Sequence, residues 1–112
     1  MEEALRNTIN MAKMLIQAQR FNECEAILSS SMMSHPHDAI PHNLMGLLLE
    51  KKQEHANAMK HFRAAYALDP SYRPAAWNLE CFGEFYKTTI EAYCIDDCMG
   101  DMQGENGKAV NE

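Results

Sequence analysis

The stretch HANAMKHFRAAYALDP, residues 55–70, predicts a helix with a definite end. It has no glycine, and its single proline is the last residue. The apolar side chains of Ala58, Phe62 and Ala65 recur at spacings of four and three, which is the period of one helix face. The final proline disfavours helical backbone at the aspartate before it. We therefore expect a helix over residues 55–68.

The same landmarks recur 34 residues earlier in the chain. When the two stretches are aligned, proline corresponds to proline, large apolar residues to large apolar residues, and small residues to small ones. The corresponding pairs are Ala58–Cys24, Phe62–Leu28, Ala65–Ser31, Pro70–Pro36, Met45–Met11, Gly46–Ala12, Leu49–Leu15 and Gln53–Gln19. Self-similarity at a fixed period of this size indicates a protein built from repeated helical units.

The spacing resembles the tetratricopeptide repeat, whose unit is a helix pair with the pattern W-x2-L-G-x2-Y, then A-x3-F, then P. The second unit of this chain places at those positions His42, Met45, Gly46, Leu49, Ala58, Phe62 and Pro70. The first unit places there Thr8, Met11, Ala12, Leu15, Cys24, Leu28 and Pro36. A third unit begins at Arg73 and keeps only Ala76, Leu79, Glu80 and Gly83. The resemblance covers residues 5–86, but no unit has the usual tryptophan, and glutamine stands where the family often has glycine, at Gln19 and Gln53.

The resemblance implies an all-α fold of antiparallel helix-turn-helix repeats, a tetratricopeptide-like α-solenoid with a long C-terminal capping helix. Small residues at the helix crossings, such as Gly46 and Ala58, would let the paired helices approach closely. We expect five helices, at about residues 3–18, 22–33, 39–52, 55–68 and 73–94. They form a domain over residues 1–95, with units at about 5–38 and 39–72 and the first helix of a third from 73. Residues 96–112, rich in glycine and acids, are expected to be a disordered acidic tail.

Charge and composition argue against several kinds of partner. The net charge is −6, from 16 acidic and 10 basic residues, and five of the acids lie from Asp96 onward. The remaining residues are nearly balanced and contain no basic stripe, so no nucleic acid is expected as a partner. The sequence has no apolar run long enough to span a membrane, and its acidic start, MEEALRN, does not resemble a secretory signal. We expect a cytoplasmic protein whose four cysteines are reduced thiols.

No catalytic constellation is recognisable in the sequence. It lacks a glycine-rich phosphate loop, a nucleophile elbow and a zinc-protease helix. We therefore expect a protein that is not an enzyme and needs no cofactor. The first function hypothesis is a protein–protein interaction module, an adaptor or scaffold that binds another protein through a peptide or a helix.

In tetratricopeptide proteins the first helix of each unit lines a concave groove, and the resemblance implies the same here. Carried over position by position, the groove residues are Ile9, Lys13, Ile16, Asn43, Leu47, Glu50, Trp77, Cys81 and Glu84. A groove with this apolar centre would accept an extended or helical segment with one or two apolar anchors. The alternative is that part of this face is covered by the protein's own chain or by a second copy.

Some members of the family hold the terminal carboxylate of a peptide with lysines, asparagines and an arginine. The corresponding places in this chain hold Ile9, Lys13, Leu44, Pro74 and Asn78. One lysine and one amide do not make such a clamp, so the resemblance implies no carboxylate recognition.

The predicted fifth helix is longer than one repeat and carries apolar residues at helical spacing near its end. Those considered for self-association are Phe82, Tyr86, Ile90 and Tyr93. An overhang bearing such residues is too apolar to stand in water. We expect it either to pack back on its own stack or to pair with a second copy in a symmetric dimer, and we favour the dimer. A self-assembling structural unit is therefore the second function hypothesis.

Two clusters of ligand-type side chains raise a third hypothesis, a metal- or redox-responsive protein. HPHDAIPH places His35, His37 and His42 near Asp38, and CIDDC places two cysteines four residues apart, at Cys94 and Cys98. The histidine spacing matches no standard metal site, and Asp38 is expected to cap the following helix. The two thiols would share a face if they were on a helix, but incidental thiols explain them more simply. No metal ligand is assigned.

Overall fold

A computed structural model of the chain describes residues 2–83, 92–95 and 97–98. Within these ranges there is no strand, and the five long helices are α1 (Glu3–Gln17), α2 (Phe21–Ser34), α3 (Ala39–Lys51), α4 (His55–Leu68) and α5 (Arg73–Gly83). The backbone is also helical at Ile95, Asp97 and Cys98. The first four long helices begin and end within one residue of the predicted bounds, which confirms those predictions. None of the described helices has the length and hydropathy needed to cross a lipid bilayer.

Two aspartates organise the loops that precede α3 and α5. Asp38 caps α3 as expected, because its Oδ1 atom accepts a hydrogen bond from the Ile40 N–H at 2.9 Å. Asp69 follows α4, and its Oδ1 atom accepts from both the N–H and the hydroxyl of Ser71, at 3.1 and 2.6 Å. Each short loop is therefore closed by its own side chain rather than by distant contacts.

Helices α1 and α3 end in the same way, at positions 34 residues apart. Gln19 and Gln53 both adopt the left-handed backbone conformation, with φ of 61° and 65°. In each case the N–H of the next residue donates to the carbonyl five residues earlier, at 2.9 Å after α1 and 2.8 Å after α3. This is the Schellman arrangement, which usually places glycine at the left-handed position. The chain therefore carries glutamine at two sites where the backbone favours glycine.

Helix α3 is the centre of the packing. It contacts α2 and α4, its neighbours in the chain, and also α1 and α5. Ten of its 13 residues are buried, so it is covered on nearly all sides. Because α1 and α5 both touch α3, the three helices lie side by side and form one surface, which we call the α1–α3–α5 face.

The backbone of α3 lies directly against an aromatic ring of α4. A Cβ atom at Gly46 would be 2.6 Å from Cδ1 and 2.8 Å from Cζ of Phe62. Phe62 has 0% of its surface exposed and stacks on Phe82 of α5, with ring centroids 5.6 Å apart. In the α1–α2 pair the corresponding residue is Ala12, whose carbonyl accepts a weak hydrogen bond from the Cys24 thiol at 3.8 Å. Small residues at both crossings thus permit close helix packing.

The C-terminal end of the fifth helix differs from the prediction. Helix α5 is described as far as Gly83, residues 84–91 lie outside the described residues, and residues 92–94 are not helical. The prediction of one helix over residues 73–94 is therefore wrong over its last three residues. Ala92 and Tyr93 pack on the helices instead, with 0% and 4% of their surface exposed. Side chains of the helices bind the main-chain N–H and carbonyl of Ala92, as described below. These two groups are therefore not available for the hydrogen bonds of a helix.

The folded part of the chain also extends past the predicted domain boundary at residue 95. Cys98 is fully buried, and the Asp97 carboxylate accepts a hydrogen bond from the Tyr93 N–H. Asp97 and Cys98 therefore belong to the fold and not to the predicted tail. Asp96 and residues 99–112 lie outside the described residues, so the disorder of the tail stays a prediction.

Gly46→Ala should lower the free energy of unfolding by about 1–3 kcal/mol, because the new Cβ atom must displace a buried ring that Phe82 holds from the other side. Gly83→Ala is the matched control, since among the described residues its Cβ atom would meet only the flexible end of Met59, at 3.5 Å. Alanine also has the higher helix propensity, so the control should be neutral or stabilising by up to about 1 kcal/mol. Urea unfolding followed by circular dichroism measures both, and equal losses would contradict the close contact between α3 and α4.

Gln53→Gly should raise the free energy of unfolding by about 0.5–1 kcal/mol, because it relieves a side chain held in left-handed backbone. Gln19→Gly should act in the same direction at the end of α1. Lys60→Gly, at an exposed position inside α4, is the control and should destabilise by about 1 kcal/mol. Thermal melts of the three variants check the opposite signs. A loss of stability at Gln53 as large as at Lys60 would show that the left-handed position carries no strain.

Candidate functional site

The candidate site is the α1–α3–α5 face, on which residues 92–95, 97 and 98 of the same chain lie. At its centre two asparagines bind the main chain of Ala92. The Nδ2 atoms of Asn43 on α3 and Asn78 on α5 both donate to the Ala92 carbonyl, at 3.0 and 2.7 Å. The Oδ1 atom of Asn78 accepts from the Ala92 N–H at 2.9 Å. Both main-chain groups of one residue are thus bound by side chains of this face.

The two asparagines also orient each other. Asn78 Nδ2 donates to Asn43 Oδ1 at 2.8 Å, and both residues are 0% exposed. Neighbouring antiparallel strands bind each other in the same way, through both the N–H and the carbonyl of one residue. A residue inside a helix does not offer these groups, because the helix's own hydrogen bonds use them. The asparagine pair therefore selects non-helical backbone, whatever side chain that backbone carries.

The ring of Tyr93 anchors the segment beside the asparagine pair. Only 4% of Tyr93 is exposed. The Nζ atom of Lys13 on α1 lies 5.4 Å from the ring centroid, which is a cation–π contact. The ring also borders a cleft of about 330 Å³, whose other walls are Ile16, Gln17, Gln19, Phe21 and Lys51. A buried aromatic anchor therefore follows directly after the residue whose main chain is bound.

Beyond Tyr93 the chain makes a turn that Asp97 closes. Its Oδ2 atom accepts from the N–H groups of Tyr93 and Cys94, at 2.7 and 3.3 Å. Its own N–H donates to the Cys94 carbonyl at 3.1 Å. Ile95 borders a different cleft, of about 310 Å³, whose walls include Leu5, Ile40 and Tyr72. Tyr93 and Ile95 therefore engage the helices at two separate places.

Three of the nine residues predicted to line the groove take part in this arrangement. Asn43 binds the Ala92 carbonyl, Lys13 contacts the Tyr93 ring, and Ile16 borders the same cleft as Tyr93. All three come from the first helices of the predicted units, α1 and α3. The structure therefore brings these side chains together against the chain's own segment, which is the alternative that the sequence left open.

The other predicted groove residues have varied surroundings. Ile9 and Leu47 are buried, at 4% and 1% exposure, whereas Trp77 and Cys81 are half-buried. Glu50 is paired with His55 at the end of α3, with 2.5 Å between the carboxylate and ring nitrogen. Glu84 lies outside the described residues.

Asn78 is the functional residue that the groove prediction left out. It follows Trp77 in the chain and lies 35 residues after Asn43, so a strict 34-residue step from Asn43 lands on its neighbour. Its signal in the sequence is an amide inside the apolar stretch AAWNL, because a buried amide needs hydrogen-bond partners. Here those partners are the main-chain groups of Ala92 and the side chain of Asn43, and not the peptide carboxylate that was considered for this position.

Where they are described, the residues considered for self-association are occupied within the chain. Phe82 stacks on Phe62, and Tyr93 is buried beside Lys13. Tyr86 and Ile90 lie outside the described residues. Tyr93 thus packs on the helices of its own chain, which is the first of the two arrangements expected for this region; the dimer, which the sequence favoured, stays a prediction.

The histidines of HPHDAIPH do not converge on one point. The Nε2 atom of His35 lies 3.1 Å from Oε1 of Glu2, His42 pairs with His61 of α4, and Asp38 caps α3. In the part of the chain that the structure describes, no three His, Cys, Asp or Glu side chains are grouped so that they could hold a metal ion.

All four cysteines are free thiols. Cys24 is buried at the α1–α2 crossing, and burial, with a smaller contribution from the charge of Glu25, raises its pKa to about 11. The thiol therefore stays protonated at neutral pH and serves as a small packing residue, as predicted. Cys94 is half-buried and not helical, whereas Cys98 is helical, so the two thiols do not lie on one helix.

No family model matches this chain, and no curated protein sequence or solved structure is significantly similar to it. Function is therefore inferred from the geometry of the α1–α3–α5 face. The distinctive feature of that face is a pair of buried amides whose hydrogen bonds go to a main chain.

A second close pair of polar side chains joins α3 to α4. The Nδ1 atoms of His42 and His61 lie 3.0 Å apart, and the rings stack with centroids 5.2 Å apart. Burial lowers the pKa of both histidines, and the neighbouring His42 lowers that of His61 further. The fold thus favours the neutral rings.

Stability should therefore fall as the pH is lowered. The unfolded histidines take up protons near pH 6.5, and the folded ones only at lower pH, so the contribution of this pair is complete above about 6.5 and is lost as the pH falls through the folded pKa values. The free energy of unfolding, measured from about pH 7.5 to about pH 5, should decrease more steeply in the wild type than in a His42→Gln, His61→Gln double variant. The other three histidines are present in both proteins, so the comparison isolates this pair. Parallel pH profiles would contradict the role of the pair.

Proposed function

We propose that this protein is a protein–protein interaction module without catalytic activity, an adaptor or scaffold that binds an extended peptide on its α1–α3–α5 face. The observation that carries the proposal is the contact of Asn43 and Asn78 with both main-chain groups of Ala92. A face that binds its own chain in this way has the donors and the acceptor that another peptide main chain requires. Main-chain hydrogen bonds of this kind are a common source of affinity in peptide recognition.

The architecture that we propose for this face is a tetratricopeptide-like stack of about two and a half helix pairs. Four observations support it. The left-handed caps at Gln19 and Gln53 are 34 residues apart, each helix packs on the next, and the first helices of successive pairs touch. The residues at equivalent crossing positions are also all buried, in the pairs Ala12–Gly46, Cys24–Ala58 and Leu28–Phe62.

An extended peptide is a better occupant than a helix. Asn78 binds the N–H and the carbonyl of the same residue, and a helical peptide has already used both groups. The cleft beside Lys13 supplies the apolar anchor that the sequence led us to expect, because it already holds one aromatic ring. The hypotheses of a self-assembling unit and of a metal- or redox-responsive protein have less support, since Tyr93 is buried within its own chain and the histidines are dispersed.

Selection of a displayed random peptide library on the immobilised full-length chain should yield peptides whose binding depends on Asn78. Asn78→Asp keeps the size of the side chain and its acceptor but replaces the Nδ2 donors with an oxygen. Because Asn78 also holds the chain's own segment at Ala92, the change is made in a chain that carries Tyr93→Ala, which removes the buried ring of that segment. Isothermal titration should show that selected peptides bind the chain with both changes about tenfold or more weakly than the Tyr93→Ala chain, because losing a buried hydrogen bond costs about 1–3 kcal/mol.

Asn57→Asp provides the matched control, because it makes the same change at an exposed position of α4. Circular dichroism establishes that both variants are folded. Selected peptides that bind the Tyr93→Ala chain equally well with and without Asn57→Asp or Asn78→Asp would place the binding surface elsewhere and overturn the proposal.

A further inference from the structure

The segment that lies on the α1–α3–α5 face has a chemical pattern of its own. A small residue whose main chain is bound is followed at once by a buried aromatic residue, Ala92 and then Tyr93. We propose that the segment beginning with Ala92 and Tyr93 is an internal competitor for this face, and that the partner that displaces it is an extended peptide with the same pattern, a small residue followed by an aromatic one. The inference rests on the proposed function and adds the class of partner and the means by which the face is closed.

The small residue is required by the position of Ala92. Its main chain is within 3.0 Å of the amides of Asn43 and Asn78, and no part of the residue is exposed. A larger side chain at this place has no solvent to enter and must displace packed neighbours. The asparagine pair thus accepts any backbone in principle, but its surroundings restrict the residue that it binds.

The aromatic residue is required by the cleft next to it. Lys13 offers a cation at 5.4 Å from the centre of the ring, and the walls of the cleft combine apolar side chains with glutamines. An aliphatic residue would fill part of this space but would lose the attraction between the cation and the ring face. Tyrosine or tryptophan therefore suits the position better than leucine.

The internal segment competes effectively because it is tethered. A segment joined to its site by a short linker acts at an effective concentration in the millimolar range. A free peptide binds only the fraction of molecules in which the segment has left, so its apparent affinity is reduced by that fraction. Asp97 favours the closed form, since it accepts the N–H groups of Tyr93 and Cys94 and so holds the turn that keeps the segment in place.

The test uses a fluorescently labelled peptide with the sequence of residues 92–98, in which serine replaces both cysteines, and the full-length chain. Fluorescence anisotropy should show that the peptide binds a Tyr93→Ala chain at least about tenfold more tightly than the wild type, because the variant opens the face. Tyr66→Ala removes an exposed tyrosine on α4 and should bind like the wild type. Asp97→Ala removes no buried ring and should also raise the affinity, which keeps the test valid if Tyr93→Ala fails to fold.

The pattern is tested by changing the peptide. Replacing its tyrosine by alanine, or its first alanine by leucine, should each weaken binding to the Tyr93→Ala chain about tenfold or more. Adding Asn78→Asp to that chain should also weaken binding, because it removes the donors to the main chain. Equal binding of all three peptides would overturn the proposed pattern.

The remaining outcomes separate this inference from the proposed function. Equal affinity of the peptide for the wild type, Tyr93→Ala and Asp97→Ala shows that the segment is no competitor and overturns the inference alone. If hydrogen exchange shows that the Ala92 amide is released in the variants, yet neither this peptide nor any library peptide binds, the proposed function fails. Sedimentation that shows a wild-type dimer with exchanged segments overturns the internal assignment in favour of a second copy.

Discussion

The arrangement of this molecule depends on the contact between the backbone of α3 at Gly46 and the ring of Phe62. Because α3 carries no side chain there, α4 approaches until the ring lies on the backbone, and the ring is then stacked on Phe82 of α5. The position of α5 relative to α3 follows from these two contacts. That position brings Asn78 within 2.8 Å of Asn43 and so creates the pair on which the candidate site is built.

Helix α3 also combines an apolar, buried environment with a polar side chain. It is covered on nearly all sides and most of its residues are apolar, yet it contains Asn43, which is fully buried. A buried amide without partners costs about 1–3 kcal/mol, so an asparagine at this place is tolerated only if something on the α1–α3–α5 face supplies hydrogen bonds. Asn78 supplies one of them, and the main chain of Ala92 accepts another.

The local signals in the sequence were sufficient for the helices but not for the segment that lies on them. The apolar period and the prolines determined α1 to α4 to within one residue, because helix bounds depend on residues close together in the chain. The spacing of Phe82, Tyr86, Ile90 and Tyr93 also fits a helix, but residues 92–94 are not helical. The bonds that hold Ala92 join residues 14 and 49 positions apart, and no periodicity reports such distant partners. Asn78 was overlooked for the same reason. A 34-residue repeat relates equivalent positions, whereas the hydrogen bond between Asn43 and Asn78 joins positions that are not equivalent.

The side chains of the α1–α3–α5 face contribute in two different ways, because they recognise different groups of the bound chain. The asparagine pair binds N–H and carbonyl groups. Every residue other than proline has both groups, so the pair contributes affinity but no sequence specificity. Sequence specificity arises from the surroundings of the bound backbone, which are the enclosed space around Ala92 and the cleft and lysine beside Tyr93. A groove with only the first feature would hold any unfolded chain, and one with only the second would be an exposed apolar surface. Having both next to each other makes a site that binds a main chain only where the next side chain is also correct.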